Sequence, residues 1–117
     1  MSKYNIELMN LADYTKKDVI RYLLDNYHNL KRWSETGDTE ALDILIDLET
    51  CLNHKYLTED QREALIDFYI KQYNLYELAS YYHLTPKGVQ YRVNGGIDRA
   101  YKLLNGKCEF ELYERRK

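Results

Sequence analysis

The chain has 117 residues, of which 44% are apolar and 31% charged, and its 17 Lys and Arg nearly balance its 19 Asp and Glu. This length suits one domain, and this composition excludes a wholly disordered chain. No apolar run reaches the ~18–20 residues that span a bilayer, and Asn and Glu interrupt the N-terminal stretch where a secretory signal would lie, so we expect a cytoplasmic protein without membrane contact.

Two helices are predicted in the first half of the chain. The first begins near Thr15 and Asp18 and keeps apolar residues at helical spacing up to Trp33, which we expect in the core. Residues 34–37 end it. A second helix then starts at Asp38 or Thr39, and its apolar positions are Leu42, Leu45, Ile46, Leu48, Cys51 and Leu52.

The second half contains three helix starts with recognisable caps. Thr58 and Gln61 form one predicted capping box, Asn74 and Glu77 form another, and Thr85 precedes Pro86 at a first helical position. The last helix continues to Leu104 and contains Gly95-Gly96. Two glycines indicate a kink or break there, and the alternative is a close backbone approach.

The two ends of the chain alternate apolar and polar residues. Tyr4, Ile6 and Leu8 do so near the N-terminus, and Cys108, Phe110 and Leu112 near the C-terminus. Such short period-two patterns are a weak strand signal, and frayed termini are the alternative. With one proline and five glycines, the chain as a whole is predicted to be all-α, with about five to six helices. We divide it into residues 1–56, 57–106 and a tail at 107–117, within one compact domain.

Charge is unevenly distributed along the chain. Residues 35–67 hold ten acidic side chains against Lys55 and Arg62, a net charge of −8 (2 − 10). Residues 84–107 hold five basic side chains against Asp98, a net charge of +4 (5 − 1). A basic segment on an acidic protein is a candidate surface for a polyanion, and a solvated helix face is the alternative.

The sequence gives little support for catalysis or metal binding. Cys51 and Cys108 stand far apart without a CxxC, which excludes a zinc knuckle and a disulfide scaffold. His28, His54 and His83 lie in separate segments without ligand spacing, and no serine has a nucleophile-elbow setting. We therefore expect no enzyme activity, no metal and no cofactor, and we expect His83 to be a turn residue.

The strongest motif is a helix-turn-helix unit over Leu75–Asn94. Ala79 provides the small side chain needed where the two helices approach, and Leu84 and Val89 occupy the positions of a shared core. His83 stands where glycine is usual, and histidine tolerates positive φ better than most residues.

Extended to both sides, residues 57–104 resemble region 4 of bacterial sigma factors. The matching anchors are Leu57-Thr58 with Arg62-Glu63, then Glu77-Leu78-Ala79, Leu84-Thr85, and Val89 with Arg92. The chain departs from that pattern because Asn94-Gly95-Gly96 delays Arg99-Ala100, and because it lacks a promoter-melting region. The segment GDTEALDILIDLETCLNHKYLTEDQREAL is also similar, more loosely, to phage and prophage regulators of the ArpU/RinA type, which implies activation of late phage or prophage genes.

The helix from Thr85 to about Asn94 is then the expected recognition helix. With Val89 inward, its outward residues are the candidates for base contacts in the major groove: Thr85, Lys87, Gln90, Tyr91 and Asn94. Gln90 and Asn94 can pair with adenine, and Lys87 can reach guanine. The candidates for phosphate contacts are Tyr76, Arg92, Arg99 and Lys102.

Three functions remain open from the sequence. The first is a sequence-specific transcription regulator that binds double-stranded DNA, with RNA polymerase or a second copy as a candidate partner of the acidic 35–67 face. The second is a small-terminase-like subunit for DNA packaging, which would form a ring. The third is a sigma-like module that binds polymerase or another regulator rather than DNA.

Overall fold

Six α-helices and one π-helical segment make up 79% of residues 16–105, the part of the chain that the computed structural model describes. The elements in chain order are α1 (Lys17–Asp25), α2 (Tyr27–Glu35), α3 (Thr39–Leu52), α4 (Glu59–Leu65), the π segment (Ile66–Ile70), α5 (Leu75–Tyr82) and α6 (Pro86–Leu104). Since these residues contain no strand, the all-α prediction is confirmed. Both predicted terminal strands, and the Thr15 start, lie outside the described residues.

Local side-chain caps start four of the helices as predicted. In each case a side-chain oxygen accepts a hydrogen bond from the backbone N–H three residues later, which satisfies a donor that the helix leaves unpaired. The accepting residues are Asp38, Thr58, Asn74 and Thr85, at 3.1, 3.1, 2.8 and 3.0 Å. The boxes at Thr58 and Asn74 are reciprocal, because Gln61 and Glu77 accept in return from the backbone of the capping residue.

The prediction of one helix up to Trp33 is wrong, because the helix is interrupted at Asn26, between α1 and α2. The Asn26 side chain donates to the Tyr22 carbonyl at 2.8 Å, and its backbone φ and ψ of −100° and 18° leave the helical region. Asparagine competes in this way for backbone carbonyls and ends helices. The break lets α1 pack against α6 while α2 packs against α3. Trp33 is buried, as expected.

Helix α3 presents a different face to the core from the one predicted. Leu42 and Ile46 were expected inside but are 41% and 49% exposed, and Ala41 and Ile44 are buried in their place. Apolar residues cover more than one stripe of this helix, so periodicity alone could not choose between neighbouring stripes.

The sequence predicted a kink or break at Gly95-Gly96; helix α6 is continuous there, so the break is wrong, and Gly96 shows the close approach that was the alternative. A Cβ atom added at Gly96 would lie 2.9 Å from Cδ1 and Cγ of Leu65, which is fully buried on α4. Because Gly96 has no side chain, the backbone of α6 packs directly against the Leu65 side chain of α4. Val89, Val93 and Ile97 continue the buried face of α6 on either side of it.

The π segment was not anticipated from the sequence. The Lys71 N–H donates to the Ile66 carbonyl at 2.8 Å, and Gln72, with φ of 65°, then ends the helical run. Asp67 is buried within the segment and accepts from the Tyr82 hydroxyl at 2.6 Å. Burial and this hydrogen bond raise the pKa of Tyr82. This hydrogen bond joins the π segment to the end of α5, the first helix of the predicted helix-turn-helix unit.

Candidate nucleic-acid interface

The turn between α5 and α6 is centred on His83. His83 adopts the left-handed conformation with φ of 60° and ψ of 45°, so its prediction as a turn residue is confirmed. The Leu84 N–H donates to the Ala79 carbonyl at 2.8 Å and closes the end of α5. Leu78, Ala79 and Val89 are buried in the core that joins the two helices.

The first half of α6 presents a continuous polar face to solvent. Lys87, Gln90, Tyr91 and Asn94 are all exposed and follow a spacing of three, one and three residues, which places them on one side of the helix. Tyr91 is 81% exposed. Thr85 is also exposed, and its hydroxyl oxygen accepts from the Gly88 N–H as the helix cap. The five candidates for base contacts thus share one end of one helix.

The four candidates for phosphate contacts have different surroundings. Arg92 lies 3.7 Å from the Asp60 carboxylate and above the Tyr82 ring, and Arg99 donates to the Tyr56 carbonyl at 2.7 Å and lies above the Tyr56 ring. Both arginines therefore join α6 to other parts of the fold. Tyr76, at the start of α5, is 77% exposed, and Lys102 is also exposed.

Helix α1 lies beside the exposed polar face of α6, which sequence reasoning did not anticipate. Lys17 Nζ is 2.8 Å from Asp98 Oδ1, and Arg21 Nη2 is 3.5 Å from Asn94 Oδ1. Lys17 thereby neutralises Asp98, the one acidic residue in the sequence of α6. These partners are more than 70 residues apart in the chain, so no local signal could have indicated the contact.

The start of α4 borders the same face on its other side. Thr58, Asp60 and Gln61 line an open groove of about 350 Å³ against Tyr91 and Asn94. The exposed half of α6 therefore lies between two helices, α1 and α4, each of which supplies side chains near the residues expected to contact bases.

A second polar surface belongs to α3. Its solvent-facing side carries Glu40, Asp43 and Asp47 beside the exposed Leu42 and Ile46, and we call these five residues the α3 surface. Glu49, further along the helix, accepts from the Tyr27 hydroxyl at 2.6 Å. Burial and this hydrogen bond raise the pKa of Tyr27 to about 12, which keeps the hydroxyl a neutral donor.

The described residues show neither a metal-binding cluster nor a membrane span. Across residues 16–105, no group of three or more His, Cys, Asp or Glu side chains is placed to hold a metal ion. Within the same range, no helix has both the length and the apolarity to cross a bilayer.

Comparisons of the chain with models of protein families, with curated proteins and with solved structures give no significant match. The resemblance to sigma region 4 therefore stays a prediction based on its sequence anchors.

Proposed function

We propose that this protein is a transcription regulator that binds double-stranded DNA sequence-specifically, with the first half of α6 in the major groove. The observation that supports this most is the polar face of Lys87, Gln90, Tyr91 and Asn94 on the second helix of a helix-turn-helix, with Val89 fully buried behind it. Nine helical residues, Pro86 to Asn94, measure ~13 Å along the axis, close to the ~12 Å width of the groove.

Each exposed side chain has a role in this proposal. The Gln90 amide both donates and accepts, which suits adenine, and the Lys87 ammonium suits the acceptors of guanine. Thr85 adds a contact at the start of this face, and Tyr91 adds one beside Gln90. Tyr76 and Lys102 reach phosphates, and Arg92 and Arg99 can share their remaining N–H groups with phosphates, because a guanidinium carries five donors.

The proposal extends to the cellular setting. We place the protein in the bacterial cytoplasm as a phage or prophage regulator, following its looser resemblance to the ArpU/RinA type. Its protein partner is RNA polymerase, contacted through the α3 surface, where exposed Leu42 and Ile46 lie among carboxylates. A homodimer would add a twofold-related second reading helix and a palindromic site.

A selection of bound fragments from the source genome, at near-physiological salt, tests the DNA-reading role. We expect one enriched motif with wild-type protein. Gln90→Ala should blur one position of that motif, because each lost bidentate base contact reduces discrimination by about 1–3 kcal/mol. Equal thermal unfolding of the two proteins provides the folding control.

Other outcomes would argue against the role of Gln90 or favour one of the other two candidate functions. An unchanged motif with Gln90→Ala would show that Gln90 does not read a base. Wild-type protein without any salt-sensitive DNA binding would favour the module that binds polymerase or another regulator. Assembly into a large ring, with binding confined to phage packaging sites, would favour the packaging subunit.

A further inference from the structure

The contact between Arg21 and Asn94 determines which way the Asn94 amide faces. Arg21 Nη2 lies 3.5 Å from Asn94 Oδ1. A guanidinium only donates hydrogen bonds, so the atom that faces it must be the amide oxygen and cannot be the amide nitrogen. The Asn94 NH₂ group is consequently turned away from α1, and the exposed end of this side chain is a donor.

Arg21 is itself held in place from several sides. Its other terminal nitrogen donates to Asp18 Oδ1 at 3.0 Å, one turn earlier on α1. It also neighbours Tyr69, whose pKa is raised, chiefly by burial, although this guanidinium opposes the rise. One turn before Arg21, Lys17 joins α1 to Asp98 of α6 at 2.8 Å. The guanidinium therefore reaches Asn94 from a helix that the Lys17–Asp98 ion pair joins to α6.

We propose that Arg21 is a positioning residue that sets base preference through Asn94, so that Asn94 selects guanine rather than adenine. The inference rests on the proposed function. A bidentate adenine contact needs the amide oxygen and nitrogen to face the base together, and the contact with Arg21 turns that oxygen toward α1 instead. Guanine presents two acceptors, N7 and O6, to the outward NH₂ group. This revises the first expectation for Asn94, and it leaves Gln90 as the adenine reader.

The experiment is a selection from a randomised duplex library, which reports the base preferred at every position. Asn94→Ala identifies the position that Asn94 reads, and there we expect guanine with wild-type protein. Arg21→Met should shift that position toward adenine, with the guanine-to-adenine ratio falling roughly tenfold or more. Arg21→Lys keeps a donor and should keep guanine. In the Asn94→Ala background, Arg21→Met should change nothing further at that position.

The matched control is Lys17→Met. It removes a positive charge from the same helix but contacts Asp98, so it should leave the base at the Asn94 position unchanged. A purely electrostatic or structural role of Arg21 would change affinity at all positions alike, in Arg21→Met and Lys17→Met together.

Two results would overturn the inference while leaving the proposed function intact: adenine at the Asn94 position in the wild type, or guanine retained in Arg21→Met. The first of these requires only the wild type and Asn94→Ala, so it decides the matter even if Arg21→Met does not fold. A wild-type protein that enriches no motif would overturn both the inference and the proposed function.

Discussion

Arg62 stabilises the loop between α3 and α4 through three backbone carbonyls. Its Nε donates to Leu52 at 2.6 Å, and its Nη2 donates to His54 at 3.0 Å and to Leu57 at 3.4 Å. A lysine ammonium cannot reproduce this planar set of donors. We expect Arg62→Lys to lower the free energy of unfolding by about 1–3 kcal/mol, since hydrogen bonds from charged donors are worth about that much. Urea denaturation measures the change.

Arg32 provides the control for this substitution. It lies exposed on α2, and its side chain bonds to Asn29 at 2.7 Å. We expect Arg32→Lys to change stability by no more than about 0.5 kcal/mol. Equal effects of the two substitutions would show that the loop does not depend on Arg62. Arg62 is one of the residues on which the predicted resemblance to sigma region 4 rests. A large effect would indicate that this residue is needed for folding rather than for DNA contact.

At the scale of elements, we expect alanine substitutions at the neighbouring residues Gly95 and Gly96 to have different effects on stability. A Cβ at Gly96 would meet the buried Leu65 at 2.9 Å, so Gly96→Ala should push α6 from α4 and destabilise the fold by about 1–3 kcal/mol. A Cβ at Gly95 would meet Gln61 Nε2 at 3.0 Å, the far end of a side chain that needs to shift by only a few tenths of an ångström while its Oε1 keeps the hydrogen bond from the Thr58 N–H. Gly95→Ala should be neutral or stabilising by up to about 1 kcal/mol, because alanine favours helix.

Thermal unfolding of the two variants measures the difference. If both alanines stabilised the protein, the α4–α6 packing described above would be incorrect. If both destabilised it strongly, a helix break at the glycines would be the better description, as the sequence first indicated.

The elements show which features a sequence can predict and which it cannot. The caps at Thr58, Asn74 and Thr85 depend on residues three positions apart, so the sequence predicted them. The left-handed His83 and the exposed face opposite Val89 are also local. The outward rotation of Leu42 and the role of Gly96 depend on contacts between helices. Arg21 and Asn94 are 73 residues apart, so their contact required the tertiary structure.

At the scale of the whole molecule, the α3 surface adjoins the C-terminal end of α6, whereas the candidates for base contacts lie in the first half of that helix. Asp47 and Thr50 of α3 lie beside Leu103 and Leu104, which close the last turn of α6. The rise of 1.5 Å per residue places Leu103 ~20 Å along the axis from Gln90. At physiological ionic strength, charges more than ~8 Å apart in solvent are largely screened. The Asp47 carboxylate should therefore have little effect on base contacts by the first half of α6, and of the candidate DNA contacts Lys102 lies nearest to this end.

This separation leads to a prediction for the partner contact. Leu42 and Ile46 are 41% and 49% exposed, so a double substitution, Leu42→Ser with Ile46→Ser, should leave the fold intact. We expect DNA affinity to stay within about twofold of wild type, because the α3 surface meets α6 beside Leu103, far along the helix from Gln90. In a transcription assay with purified host polymerase, the same variant should lose the effect that the wild type produces, because a few residues at the centre of a protein interface carry most of its binding energy.

Thr50→Ser is the matched control, since it alters an exposed residue of the same helix outside the α3 surface. Transcription at the wild-type level with the double variant would show that polymerase binds elsewhere or not at all. Parallel loss of DNA binding and transcription would contradict the separation of the two surfaces along α6. Loss of transcription with full DNA binding would establish that one end of this small helical domain binds DNA while the other contacts the polymerase.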